Sequence, residues 1–355
     1  MNPLNHGSGA RRRPVLLTGA SGVVGTALRS VLAPWEYVAL VHRRPLPGSA
    51  TVTGDIRAER LGLDRSAYAE LVSRIGGIVH AAADTRLNGA AAQLDATNVA
   101  GTRTLLRLAT DANVPLYYVS TAFVHALTRP ENAGRVLPYA ESKAAAEESI
   151  RVWGGDHVVL RPSIVVGDSG TGVISEFQGL HRICGAILSD LFPAFPSDES
   201  GLVDFVPQDL VARVIAAAVR GELPPGTCEA WITAGHRAMP LEQLIAELVA
   251  LAAEAGRPIA APRIVSADLY ERLVKPVFLG ALPEELRRKV TALFEHVAPY
   301  IAVRSPFPES PAVITAAGGA DADPGEVLRR TMRHWMSTTG HLGGTARLTT
   351  QGATS

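Results

Sequence analysis

In the stretch LPYAESKAAAEESI, residues 137–150, Tyr139 and Lys143 stand four apart in an alanine- and glutamate-rich run that predicts a helix. At that spacing two side chains share one helix face, with Cβ atoms roughly 5–6 Å apart. A lysine ammonium so placed biases a phenol toward giving up its proton, which is acid/base chemistry. The same spacing occurs on solvated helices, so the surrounding elements must decide between a proton donor with its tuner and an exposed pair.

Those elements begin with PVLLTGASGVVG, where the apolar run Val15 to Leu17 leads into glycines at 19, 22 and 25. The reading is a buried parallel strand, a tight turn and a helix continuing through VVGTALRSVLA. Gly19 permits the turn, Gly22 lets the backbone approach a pyrophosphate, and Gly25 lets the helix pack closely on the sheet. Ser21, Val23 and Val24 complete the turn, with the helix N-terminus facing the phosphates. A dinucleotide cofactor is the expectation.

The Gly-x-x-Gly-x-x-Gly spacing resembles the extended short-chain dehydrogenase/reductase superfamily. That resemblance implies a second strand in WEYVALVHRR ending at the adenosine ribose, where an acidic residue would hold a 2′-hydroxyl and repel a 2′-phosphate. Here stand His42, Arg43 and Arg44 instead, and a guanidinium suits a phosphate in charge and in fork geometry. NADPH is therefore expected over NADH. ATVTGDI resembles the third strand, which implies adenine contacts from Asp55 and Ile56, and GGIVHAAA resembles the fourth, with Ala81 and Ala82 small enough for close approach to the cofactor.

The strand PLYYVSTAFVHA ends in Ser120 and Thr121. By the superfamily pattern Thr121 carries the catalytic hydroxyl and Ser120 supports the loop. Lys143 would then hold the nicotinamide ribose and lower the Tyr139 pKa, Tyr139 would give a proton to the substrate oxygen, and Thr121 would hydrogen-bond that oxygen. Asn98, in a preceding helical segment, reads as structural. Pro162 and Ser163, in HVVLRPSIVVGDSGTG, would line the nicotinamide side. This last stretch, with VSTAFVHA, HAAADTRL and VDFVPQDLVARVIAAAV, resembles the thioester-reductase and fatty acyl-CoA reductase branch, the male-sterility type of NAD-binding domain, over about residues 14–250. Asp209 within it reads as a carboxylate that holds a loop.

The implied fold is α/β: a Rossmann doubly wound parallel sheet over 13–167, completed by about 203–235, with a smaller, mainly helical substrate cap from 168–202 and 236–337. Residues 1–12 and the Gly/Thr-rich 338–355 read as disordered ends. Apolar stripes in LIAELVALAAEA, LYERLVKPVFLGAL and KVTALFEHVAPYIAV would form the cap's core or line an acyl channel, and periodicity does not separate the two.

With 34 basic and 34 acidic residues among 355, the chain lacks a nucleic-acid binder's charge, and it has no apolar run of the ~18 residues that cross a bilayer. Neither metal site nor disulfide framework is expected from Cys184 and Cys228, both read as buried, and the setting is read as cytoplasmic. The expected activity is NADPH-dependent reduction of an acyl thioester, on CoA or on a carrier protein arriving in trans, to aldehyde, with a second reduction to alcohol left open. Alternatives are a dehydrogenase, ketoreductase or epimerase of a small metabolite's secondary alcohol or ketone, and a non-catalytic NADP-binding regulator.

Overall fold

The computed structural model describes residues 13–42, 46–87, 89–129, 137–191, 193–197, 201–319 and 322–340. The expectations for residues 1–12, for Arg43 and Arg44, and for 341–355 lie outside them.

Seven short strands form one all-parallel sheet. In chain order they are β1 (Val15–Thr18), β2 (Tyr37–Val41), β3 (Thr51–Thr53), β4 (Gly77–His80), β5 (Leu116–Val119), β6 (His157–Pro162) and β11 (Glu229–Ile232). Their sheet order is β11-β6-β5-β4-β1-β2-β3. Both faces are covered by helices, so the central strands are apolar along their length instead of alternating. Successive residues enter opposite cores. Val15 and Leu17 pack with α1 (Val23–Val31) and α7 (Gln208–Arg220), while Leu16 packs with α2 (Arg65–Arg74), α4 (Gly101–Ala112) and α5 (Pro138–Trp153).

The chain winds outward from β1 to β3, then returns through α2 to β4 on the other side of β1. That reversal leaves a crevice at the C-terminal ends of β1 and β4, the switch point where doubly wound sheets bind ligands.

A short helix, α3 (Ala91–Leu94), joins α4 through a wider π turn at Asp95–Ala100. The stretch HVVLRPSIVV divides at Ser163: β6 stays in the large sheet, and β7 (Ile164–Val166) pairs with β10 (Phe205–Pro207). Around this small sheet gather α6 (Gly179–Leu188), β8 (Ala194–Pro196), β9 (Leu202–Val203), β12 (Met239–Pro240), α8 (Leu241–Glu254), β13 (Arg263–Val265), α9 (Ala267–Leu269), α10 (Lys275–Gly280), α11 (Glu284–Ala292) and α13 (Pro324–Thr339), whereas α12 (Pro311–Ala316) packs on α7 in the core of the large sheet. Their separate core contains Ile183, Phe195, Leu244, Leu248, Leu328 and Met332. Close packing shows at Gly185, where an added Cβ would lie 2.4 Å from the Trp335 ring. Arg329 ties α13 to Glu247 and Glu254 of α8.

Two expectations are corrected. Residues 338 and 339 continue α13 and are not tail, because Gly340, at φ 76°, supplies the left-handed cap that ends the helix. Cys228 is exposed, since it lies in the connection before β11, whereas Cys184 is buried within α6.

Candidate active site

Gly19 takes φ 70°, a region that favours glycine, and a Cβ there would sit 2.5 Å from the Ala82 nitrogen. The turn after β1 therefore lies directly on the end of β4, which explains the small residues Ala81 and Ala82. Gly25 is required for a different contact from the expected one. Its added Cβ would fall 2.1 Å from the Gly19 carbonyl oxygen, so at this residue the helix lies against the turn. Gly22, at the N-cap of α1, has only the Gly19 carbonyl near its Cβ position, at 3.5 Å, and borders the cavity with Ser21, Val23 and Val24. The first turn of α1 carries no acidic side chain. Its free amides and dipole fit the pyrophosphate of a dinucleotide.

Across the crevice, β5 ends at Val119 and Thr121 caps the following turn, Ala122–Thr128, its hydroxyl accepting from the Phe123 amide at 3.3 Å. Pro138 opens α5 at a position where a missing N–H costs nothing, and Gly154 closes the helix in the left-handed region. Tyr139 and Lys143 thus face Thr121 from the first two turns. The three line one cavity of about 450 Å³ together with Gly19, Ser21, Gly22, Val23, Val24, Gly25, Ala81, Ala82, Pro162 and Ser163.

Lys143 is 2 % exposed. Its Nζ donates to the Val119 carbonyl at 2.7 Å and lies 4.2 Å from the centre of the Tyr118 ring. Burial pulls its pKa down to about 7, against the opposing pull of Glu147. Burial pushes the Tyr139 phenol up to about 12, and a hydrogen bond from Thr121 works the other way. The expectation that Lys143 lowers Tyr139 is therefore corrected: the ammonium is directed at β5, and loss of water dominates at the phenol. A phenol held in its protonated form is a proton donor, which is the role the chemistry needs.

Ser120 turns its hydroxyl to Glu147. Asn98, 1 % exposed, bonds both main-chain groups of Asp84 and the Ser142 hydroxyl, tying the loop after β4 to α5. Asp209 accepts from the Ser169 amide and hydroxyl, both at 2.8 Å, and so holds the loop after β7.

Asp55 and Ile56 lie after β3, apart from the residues lining this cavity. The Asp55 carboxylate is taken by Arg57, at 2.8 Å, and by His42, at 3.4 Å, and the Arg57 hydrogen bonds lower its pKa to about 2. Ile56 is buried against Gly101, where an added Cβ would come within 2.9 Å of it.

Leu87, Leu180, Val297, Tyr300 and Ile301 also line the cavity and were not legible in the sequence. The Tyr300 ring meets that of Tyr139 edge-on at 6.3 Å and that of Phe123 at 5.2 Å. No motif marks Tyr300. Residues far apart in the chain meet here only because the segment after α11 folds back onto α5.

Residues 47–215 match the family described as Male sterility protein, an NAD-binding domain. A polyketide synthase-nonribosomal peptide synthetase, ACE1, of Pyricularia oryzae is 30% identical over 242 residues, which are 58% of this chain and 6% of that protein. The isonitrile lipopeptide synthase of Streptomyces coeruleorubidus is 30% identical over 252 residues, 59% of this chain and 17% of that protein. The chain thus spans a small fraction of the relatives it matches. The terminal R domain of the myxalamid PKS-NRPS pathway superposes with a TM-score of 0.72 at 21% identity, covering 93% of this chain and 92% of that one. The Bordetella bronchiseptica enzyme WbmH, solved with NAD+, gives 0.63 at 19% identity, covering 92% and 99%. These structural likenesses show a common Rossmann-like α/β fold.

Proposed function

We propose that this chain, whose residues 47–215 belong to the male sterility family of NAD-binding domains, is an NADPH-dependent reductase that converts an acyl thioester to an aldehyde. The observation that carries the reading is the single cavity in which the glycine turn and Thr121, Tyr139 and Lys143 meet apolar side chains from the cap: Leu180, Val297 and Ile301. One side suits a dinucleotide and the other an acyl group. The similarity to segments of a polyketide synthase-nonribosomal peptide synthetase and of a lipopeptide synthase supports an acyl thioester substrate, on a carrier protein or on CoA. A cytoplasmic setting belongs to the same reading.

When bound, NADPH supplies the hydride that the thioester carbonyl carbon accepts. The α1 N-terminus would hold the pyrophosphate, Asp55 and Ile56 would meet the adenine, Arg43 and Arg44 would take the 2′-phosphate, and Pro162 and Ser163 would line the nicotinamide side. The Lys143 ammonium would hold the nicotinamide ribose. Thr121 orients the carbonyl oxygen, and Tyr139 donates its proton as that oxygen gains charge. The hydroxyl of the tetrahedral adduct then returns its proton to the Tyr139 phenolate as the carbonyl reforms and the C–S bond breaks, and the thiolate leaves to take a proton from solvent as free thiol. Further reduction of the aldehyde to alcohol uses the same residues. A secondary alcohol or ketone would need the same three side chains but release no thiol.

The test is NADPH oxidation by purified protein against acyl-CoAs of several lengths, the matching aldehydes and a set of ketones, with free thiol followed in parallel. Thiol release equal to or below NADPH consumed is the expected result. Turnover of ketones alone would overturn the thioester reading, and NADPH binding without any turnover would favour a regulator.

A further inference from the structure

Tyr139, Lys143 and Glu147 follow one another at four-residue steps along α5, so they share a face. The third has no part in the reaction described above. Its carboxylate, 15 % exposed, is fully occupied: Arg161 approaches through Nε at 3.0 and 3.2 Å and through Nη2 at 2.8 Å, and the Ser120 hydroxyl donates to Oε1. Arg161 is itself 11 % exposed, lies 4.5 Å over the Trp231 ring and donates to Glu229 at 2.8 Å. Arg161 of β6, held by Glu229 and Trp231 of β11, and Ser120, just after β5, thus pin a carboxylate that belongs to α5.

Lys143 lies one turn away, enclosed by largely uncharged groups. Tyr118 faces it from β5 and His80 from β4, the latter held neutral by burial and placed between the hydroxyls of Thr18 and Thr102. Tyr139 and Glu147 face it from its own helix, and Arg161 from β6 stands behind Glu147. Among the described residues no carboxylate pairs directly with Lys143. A buried lysine with only neutral neighbours gives up its proton, whereas a carboxylate bonded to it would occupy the N–H groups a ligand needs. Glu147, restrained one helical turn away, acts on the charge without taking the N–H groups.

We propose that Glu147, pinned by Arg161 and Ser120, is a positioning residue whose charge keeps Lys143 an ammonium, and that Arg161 moderates its effect. This rests on the reading that Lys143 serves the coenzyme.

NADPH binding, followed by nicotinamide fluorescence from about pH 5.5 to 9, tests both assignments in the wild type, Lys143→Met, Glu147→Gln and Arg161→Gln. Wild-type affinity falls as pH rises through the Lys143 midpoint, and Lys143→Met abolishes that transition. Glu147→Gln moves the midpoint to lower pH by about one unit, and Arg161→Gln moves it to higher pH. A merely structural role does not produce shifts of opposite sign. If Lys143→Met keeps the wild-type profile, the coenzyme assignment of Lys143 is wrong and the proposal falls with it. If Lys143→Met abolishes the transition but Glu147→Gln leaves its midpoint in place, the role of Glu147 alone is refuted. Should Glu147→Gln not fold, Arg161→Gln decides, and a midpoint that is unmoved or shifted to lower pH overturns the proposal.

Discussion

The Lys143 ammonium donates to the carbonyl of Val119, two residues before Thr121, at 2.7 Å. Through this bond the helix that carries Tyr139 is fastened to the strand end that carries Thr121. The two hydroxyls are thereby held at a fixed separation before any ligand is bound. Preorganisation of this kind lets donors act on developing charge without reorganising during the reaction.

Replacing Tyr139 with phenylalanine removes the proposed proton donor and keeps the ring that packs on Tyr300. Turnover should fall by roughly 10²–10⁴-fold, while fluorescence titration shows NADPH affinity little changed. Retained turnover would show that another group gives the proton.

Thr121 serves both the phenol and the turn that it caps. Thr121→Ala should lower kcat by about 10- to 1,000-fold and cost about 1 kcal/mol of stability in urea unfolding. Thr121→Ser should recover most of both. A serine variant as slow as the alanine one would point to a role for the methyl group instead.

Two glycines of one turn should respond in opposite ways. Gly25→Ala drives a Cβ to 2.1 Å from the Gly19 carbonyl oxygen, and denaturation should register a loss of roughly 1–3 kcal/mol or more. Gly22→Ala should leave stability within about 1 kcal/mol and weaken NADPH about tenfold or more, because its added methyl borders the cavity where the pyrophosphate is proposed to lie. Equal stability losses would place Gly22 in the packing of the turn and not in the phosphate site.

Arg43→Ala together with Arg44→Ala should weaken NADPH far more than NADH, by about tenfold or more. Dissociation constants for the two coenzymes measure this directly. Parallel losses would remove the 2′-phosphate assignment.

Acid should destabilise the fold through buried histidines. Burial, aided by the Lys143 charge, depresses the His80 pKa to about 3, and burial with His334 depresses that of His181 to about 4. Between those values and the unfolded value of about 6.5, the unfolded chain binds more protons than the folded one. The stability contributed by neutral His80 is therefore present above about pH 6.5 and lost as pH falls toward 3. Urea midpoints between about pH 6 and 4 should drop, and His80→Gln should reduce the slope by about one proton. An unchanged slope would assign the acid sensitivity to other groups.

The amino-acid order alone determined the winding and one wall of the site. Apolar runs of four or five residues separated by helical periods dictate a buried parallel sheet, and the glycines at 19 and 25 are legible because each answers a backbone or close-approach need that few other residues meet. Tyr139 and Lys143 are legible because a helix converts a spacing of four into adjacency.

Tertiary structure decided what no local spacing encodes. It brought Tyr300 and Ile301 against Tyr139, sent some apolar cap residues into a core and others to the cavity, and closed Arg161 on Glu147 across β6 and α5. It also set the ionisation of the site. Spacing made Lys143 a neighbour of Tyr139, but the direction of its Nζ and the exclusion of water hold the phenol protonated and leave the ammonium bound to Val119. Those properties depend on how much solvent the completed fold removes, which is a sum over contacts from every element around the cavity.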